Sequence, residues 1–285
     1  MREISLPPSL ADQAHRLSTG AETPAEPRDA ATVVLLREGA ERPEVYLMRR
    51  QASMAFAAGM AVFPGGGVDP RDFDDELIDA GLWAGPTPTV WADRLGTDEA
   101  TARALVCAAV RETYEESGVL LAGSVDSVVA DTTGDDWEAD RVALESRDLS
   151  LTAFLTRRGL VLRTDLLGAW AGWLTPIFEP RRYRTWFFVA ALPAGQVTRD
   201  VSSEASAVHW SDALAALDQV DAGDLLMLPP TYLTCLDVAQ HRDVAGVLAA
   251  ASERTVEMFM PQVVPAAEAF TLSRPAHYDE LLARR

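Results

Sequence analysis

Cysteine is nearly missing from this chain of 285 residues: only Cys107 and Cys235 are present, far apart and each beside apolar residues. That excludes a disulfide framework and points to buried, reduced thiols in a reducing compartment, with the cytoplasm as the default. Basic charge is also short. Against 43 acidic residues stand 25 basic ones, a formal net charge of −18, which disfavours nucleic acid or anionic lipid as a partner held by general electrostatics. A phosphate-bearing ligand would need local help from arginine or a metal. No apolar run approaches the roughly 18 residues needed to span a bilayer, and the opening MREISLPPSL has no apolar signal core. The expectation is an unexported protein with no membrane partner. Internal repeats and low-complexity tracts are absent too. What the chain has in plenty is apolar side chains, 48% of the total, enough for a sizeable core in one large domain or two small ones.

Along the chain, STGAETPAEPRD (18–29) is rich in proline, alanine and acid and reads as the end of a mobile lead-in covering residues 1–29. ATVVLLRE (31–38) and EVYLMRRQ (44–51), separated by GAERP, read as a strand pair. Residues 70–100 mix Asp, Gly and Pro with aromatics and lack periodicity, which predicts an inserted loop with at most a short helix. From Thr97 an acidic first turn, an Ala/Leu/Val stripe and a terminating Gly118 predict a helix. Residues 123–148 are polar and acidic and read as a second peripheral excursion. Further helices are expected over 150–160, over 210–223 with Ser211 as cap, and over 229–260; strands are expected over 184–193 and 204–210.

The predicted helix carries AAVRETYEESGV (108–119), which sets Glu112, Glu115 and Glu116 on one face. Like charges three and four residues apart repel. A divalent cation is the simplest compensation, because hard ions such as Mg²⁺ or Mn²⁺ take carboxylate oxygens and share the remaining positions with water and phosphate. Arg111 can pair with Glu115, four residues on, and lower the proton affinity of the cluster. The competing reading is a solvated acidic face. Against it stands the glycine triplet Gly65, Gly66 and Gly67 in VFPGGGVD (62–69), which lets main chain approach an ion or ligand closely.

These residues together resemble the Nudix box of the Nudix hydrolases: Gly, five residues, Glu, seven residues, then REUxEExGU with U a bulky aliphatic. RETYEESGV (111–119) matches the second half, with Thr113 at the first U position. Gly66 and Asp69 can be laid on the start, and uninterrupted spacing puts the Glu at Asp72. About 30 residues intervene before the helix, however, and Arg103 stands where counting back from Arg111 calls for Glu. The split box is similar to the branch that includes the peroxisomal coenzyme A diphosphatases, as are AFAAGMAVFPGG (55–66) and WAGWLTPIFEPRRYRTWFFVA (170–190). Arg184 departs from that branch, where an acid is expected, and Ala55 stands at the place of the Arg in the coenzyme A signature.

The resemblance implies an α/β/α sandwich with a mixed central sheet, peripheral insertions near 70–100 and 123–148, and a helical C-terminal part, as one domain over 30–285. It implies hydrolysis of the pyrophosphate linkage in a small-molecule nucleoside diphosphate derivative, coenzyme A-like compounds among them, dependent on Mg²⁺ or Mn²⁺. Glu112, Glu115, Glu116 and the carbonyl of Gly65 are the implied metal ligands, with one glutamate open to act as the base. Glu204 lies where family members place a further ligand or base, with a surface acid as the equal alternative. Arg49, or Arg181 with Arg182, are candidates to grip phosphate beside the Gly66 loop. A homodimer is expected by analogy. The alternative to an enzyme is a Nudix-like nucleotide-binding regulator without turnover, which the unassigned box Glu favours.

Overall fold

The computed structural model describes residues 8–51, 57–265 and 270–285. In chain order its elements are helix α1 (Pro8–Ser18), strands β1 (Arg28–Arg37), β2 (Glu44–Arg50), β3 (Ala61–Val62) and β4 (Gly65–Gly67), helix α2 (Glu76–Asp79), strand β5 (Trp83–Ala84), and helices α3 (Pro88–Leu95) and α4 (Glu99–Ser117). Then come β6 (Ala122–Gly123), α5 (Asp135–Glu145), α6 (Leu151–Arg158), β7 (Val161–Arg163), β8 (Gly168–Leu174), β9 (Tyr183–Ala191) and β10 (Ala205–Asp212). The C-terminal part holds α7 (Ala213–Ala222), α8 (Pro229–Val238), α9 (Val244–Ser252), β11 (Met258–Phe259), β12 (Val263–Pro265), β13 (Phe270–Leu272) and α10 (His277–Ala283).

Strand β1 is buried from Ala30 to Leu36, and a strand apolar on both faces needs a layer on each side. Its alternating side chains meet two cores. Ala31, Val33 and Leu35, with Tyr46 and Met48 of β2, pack among Trp91, Leu95, Leu105 and Val106 of α3 and α4. Val34, Leu36, Val45 and Leu47 pack instead with Leu217, Leu233 and Val247 of α7, α8 and α9. The sheet between these layers runs β10-β2-β1-β9-β8-β11, with β3 added to β2 and β4 to β1. β1 pairs with β9, and β8 with β11, in parallel, while the other pairs are antiparallel, so the sheet is mixed.

This pairing positions the glycine loop. β2 flanks only the C-terminal end of β1, at Leu36 and Arg37. β4 takes its place beside Ala30, Ala31 and Thr32. A side chain at Gly65 would begin 2.4 Å from the carbonyl oxygen of Ala31 and 2.6 Å from the Cα of Thr32, so only glycine allows the approach.

Several expectations need correction. Order begins before residue 30: Ala14 and Leu17 of α1 pack on Phe178, so the described part of the N-terminal 29 residues is not a loose lead-in. Residues 70–100 are folded as a 3₁₀ turn (Pro70–Phe73), α2, β5 and α3, and Leu77, Trp91 and Leu95 are core side chains. Each element there is too short to show a period. Asp212, not Ser211, caps α7, accepting from the amides of Leu214 and Ala215 at 2.9 and 3.0 Å, while the Ser211 hydroxyl donates to the Asp212 carbonyl at 3.0 Å. The helical stretch expected over 229–260 is two helices followed by β11. Strand β8 forms in a stretch where the spacing predicts no element.

Candidate active site

Helix α4 is fixed at both ends by its own sequence. Asp98 caps the start, accepting from the amide of Thr101 at 2.9 Å, and Gly118 ends it in the left-handed conformation at φ 73°. Ala108 and Ala109 are fully buried. The last turns of the helix then face β4 and the 3₁₀ turn.

At their centre is Arg111, which is 6% exposed. Its Nε and Nη2 donate to the two carboxylate oxygens of Asp72 at 3.0 and 2.8 Å. Nη2 also reaches the carbonyl of Gly67 at 3.1 Å, and Nη1 reaches Glu112 at 2.7 Å and Glu115 at 3.2 Å. The five N–H donors of a guanidinium are thereby all used. Glu116 accepts instead from the main-chain amide of Gly65 at 2.7 Å. A Cβ on Gly66 would lie 2.5 Å from the Glu112 carboxylate, so the second glycine makes room for a side chain as the first makes room for main chain.

Arg111 faces three carboxylates, Asp72, Glu112 and Glu115, with Glu116 beside them, and burial acts on the three glutamates. Burial pushes the Glu112 carboxyl above its ordinary range, with Arg111 pulling the other way. Burial raises Glu115 to about 7, again opposed by Arg111. Glu116 is pushed well up by burial and by the charge of Glu112, with the Gly65 amide opposing. Low dielectric and like charge both favour the protonated acid.

The matching family closes the question of frame: the model of the NUDT19 Nudix domain matches residues 27–236. The chain belongs to that Nudix family. It is similar to an acyl-coenzyme A diphosphatase NUDT19 of Xenopus laevis, 25% identical over 219 residues that cover 66% of this chain and 58% of the frog protein. Its likeness to the protein of that name in Gallus gallus is 26% over 275 residues, 84% of this chain and 72% of the other. The chain therefore spans less than two thirds of the frog relative's length. A NUDIX hydrolase crystal structure from Alicyclobacillus acidocaldarius superposes with a TM-score of 0.68 at 28% identity, covering 82% of this chain and 99% of that one. The sandwich with its mixed sheet is a Nudix fold.

The two halves of the split box meet in space at Asp72 and Arg111. Asp72, six residues after Gly66, is 3% exposed and holds Arg111 in a two-pronged pair. It also accepts from the amide of Asp69 at 2.8 Å. Arg103, at the position counted back from Arg111, donates to the Phe73 carbonyl at 2.9 Å and pairs with Asp75, steadying the turn that carries Asp72. Thr113 fits an aliphatic position by turning its hydroxyl back to the Ala109 carbonyl at 2.7 Å.

The remaining candidates divide. Glu204, directly before β10, accepts from Arg50 at 2.8 Å, and its charge contributes to the rise at Glu112 and Glu116. It stands near the cluster and half exposed. Arg49 is exposed and donates to the Gly59 carbonyl at 3.3 Å; Arg181 is exposed. Arg182 is not brought to the cluster as a phosphate grip. It is buried, and its donors hold the carbonyls of Thr175 and Ala25 at 3.2 and 3.0 Å and the Met260 sulfur at 3.3 Å. Arg184 pairs with Asp29 at 2.7 Å on the surface. Trp173 is a core side chain edge-on to Phe259. Ala55 lies outside the described residues.

Among the described residues, no group of three or more His, Cys, Asp or Glu side chains stands ready to hold an ion. Glu112 and Glu115 are turned to Arg111, and Glu116 to the Gly65 amide. The donor chemistry nevertheless fits a hard divalent cation: buried carboxylate oxygens in excess over positive charge, beside a glycine cradle. Rotation of the glutamate side chains is what loading would require.

Proposed function

We propose that this chain is a divalent-metal-dependent hydrolase that cleaves the pyrophosphate linkage of a nucleoside diphosphate derivative, with coenzyme A-type compounds as the first substrate class to test. The observation that carries this is the gathering of Asp72, Glu112 and Glu115 on the buried guanidinium of Arg111, with Glu116 beside them on the Gly65 amide, in a chain of the Nudix family. The names of its NUDT19 relatives support the coenzyme A class.

Glu112, Glu115 and Glu116, with the Gly65 carbonyl, would hold Mg²⁺ or Mn²⁺. Such an ion supplies charge neutralisation at the phosphoryl oxygens and acidifies water. Arg111 keeps two of the glutamates in register and Asp72 keeps Arg111 in place. Raised carboxyls at the site suit proton exchange near neutral pH, so one of them takes the proton from the attacking water. Arg49 and Arg181, both exposed, are left to meet the outer phosphates, with Gly66 leaving room beside them.

The pairing of Asp72 with Arg111 supports the enzyme over the regulator, whose case rests on the unassigned box acid. We further assign the chain to the cytoplasm, on two buried free cysteines and the lack of any described helix long and apolar enough to cross a membrane, and to a homodimer by analogy with the family.

The test is product release from coenzyme A, acyl-coenzyme A, nucleotide sugars, dinucleotides and nucleoside triphosphates with Mg²⁺, Mn²⁺ or chelator, repeated with Glu116→Gln. Metal-independent or unchanged turnover would reject the site. Nucleotide binding with no turnover of any compound would restore the regulator.

A further inference from the structure

The polar excursion 123–148 connects the site helix to the segment that bears Glu204. Its helix α5 places Arg141, only 4% exposed, and Glu145 one turn apart on one face. Arg141 Nη1 donates to the main-chain carbonyl of Glu115 at 2.7 Å and to Glu145 at 2.9 Å. Glu145 in turn accepts from the Ser203 hydroxyl at 2.6 Å and from the Ser203 amide at 3.4 Å. Ser203 immediately precedes Glu204. A continuous line of hydrogen bonds therefore runs from the site helix, through α5, to the arm that bears the outlying acid.

The two ends belong to different parts of the chain. Glu115 lies in the last turn of α4, where carbonyls lack partners within the helix, and a guanidinium there also complements the helix dipole. Glu138 fixes the orientation of Arg141 with bonds of 3.0 and 2.7 Å to Nε and Nη2, and it pairs with Arg199 at 2.6 Å. The arm after β9 is tied to the helix a first time where the Arg199 amide donates to the Ser117 carbonyl at 2.8 Å. The α5 line ties it a second time, next to Glu204. On its other side the segment is held by β2 and the residue after it, through bonds from Gln51 to the Ser203 and Glu204 carbonyls at 2.7 and 2.9 Å and from Arg50 to the Glu204 carboxylate at 2.8 Å, so the α5 line adds the tie on the side of α4.

We infer that Arg141, Glu145 and Ser203 are positioning residues that set Glu204 against the carboxylates of α4, and that the 123–148 insertion exists in this chain as the strut for that arm. The inference rests on the hydrolase reading.

The test uses the full chain with Mn²⁺ and a substrate found in the panel above. Glu145→Ala and Ser203→Ala each lower kcat by about tenfold, the size of one lost hydrogen bond to a charged group, with KM unchanged. Ser203→Thr, which keeps the hydroxyl, retains wild-type kcat. Amide exchange over residues 199–206, measured by mass spectrometry without metal or substrate, quickens in both alanine variants. In a Glu204→Gln background, Glu145→Ala adds no further loss, because the strut then has nothing left to place. Should Glu145→Ala not fold, the exposed Ser203→Ala carries the same comparison. A loss of equal size in both backgrounds, or alanine variants equal to wild type in kcat and exchange, overturns the inference while the hydrolase stands. A wild-type chain that neither binds Mn²⁺ nor turns over any compound sinks the hydrolase reading, and this inference with it.

Discussion

Arg111 and Asp72, 39 residues apart in sequence, meet as a two-pronged ion pair at 3.0 and 2.8 Å, both nearly buried. Removing one partner of such a pair leaves a charge without its counterpart in a poor solvent. Asp72→Asn should lower unfolding stability by about 2–4 kcal/mol and reduce turnover, since Arg111 would then be drawn toward Glu112 and Glu115. Urea denaturation followed by fluorescence gives the first quantity. An unchanged midpoint would show that Asp72 is no anchor.

Two of the glycines of β4, Gly66 and Gly67, should respond differently to alanine. At Gly66 the new methyl would sit 2.5 Å from the Glu112 carboxylate, and that side chain must move. Turnover and Mn²⁺ affinity should fall well over tenfold, while stability changes by about 1–3 kcal/mol as in other overpacked sites. At Gly67 the nearest atom is the Asp29 carbonyl oxygen at 3.9 Å, an ordinary contact. Gly67→Ala should behave as wild type in both assays, and equal damage at the two positions would contradict the cradle.

Stability should depend on pH through the site carboxyls. An acid whose folded pKa is raised holds its proton more tightly in the native chain than in the unfolded one, so the stability this gives is present at low pH and lost as pH rises through the folded value. Glu112 and Glu116 are raised, and Glu115 to about 7. Carboxyls held down by arginine or amide partners, such as Asp69 and Glu138, act in the opposite sense and only in acid. In chelator, the thermal midpoint should therefore fall between ~pH 5 and ~pH 8. Mn²⁺ binding displaces those protons, so the stabilisation it gives should grow across the same interval. Calorimetry at several pH values, with and without Mn²⁺, checks both signs.

Arg182→Ala should damage the fold and spare the chemistry. The substitution leaves the Ala25 and Thr175 carbonyls without their donor, a loss of about 1–3 kcal/mol for buried polar groups. Proteolysis ahead of β1 should quicken while KM stays put. A raised KM with normal stability would return Arg182 to the phosphate.

What could be read from the sequence was what repeats at short range. Glu112, Glu115 and Glu116 declare a face because helix spacing is fixed, and Gly118 declares the helix end. Asp72 was reached by counting from Gly66 but could not be chosen over Arg103, since which of them meets Arg111 depends on where the insertion leaves the chain. Trp91 and Leu95 vanish into the core from a stretch with no period, because α3 has only two turns. Arg182 and Arg141 look alike in sequence to any arginine on an acidic surface. A guanidinium has five donors, and their destinations are set by main-chain carbonyls far along the chain.

The central strand has one more consequence, for the order of assembly. β1 pairs in parallel with β9 over nine residues, Arg28 with Tyr183 through Leu36 with Ala191, and ladders between such distant segments close slowly. While the chain is being synthesised, that edge of β1 stays open until residue 191 has left the ribosome, long after the glycine loop and the acidic helix have emerged. The early part of this protein is therefore born with an apolar strand edge exposed, a state in which strand-to-strand association between nascent copies competes with folding.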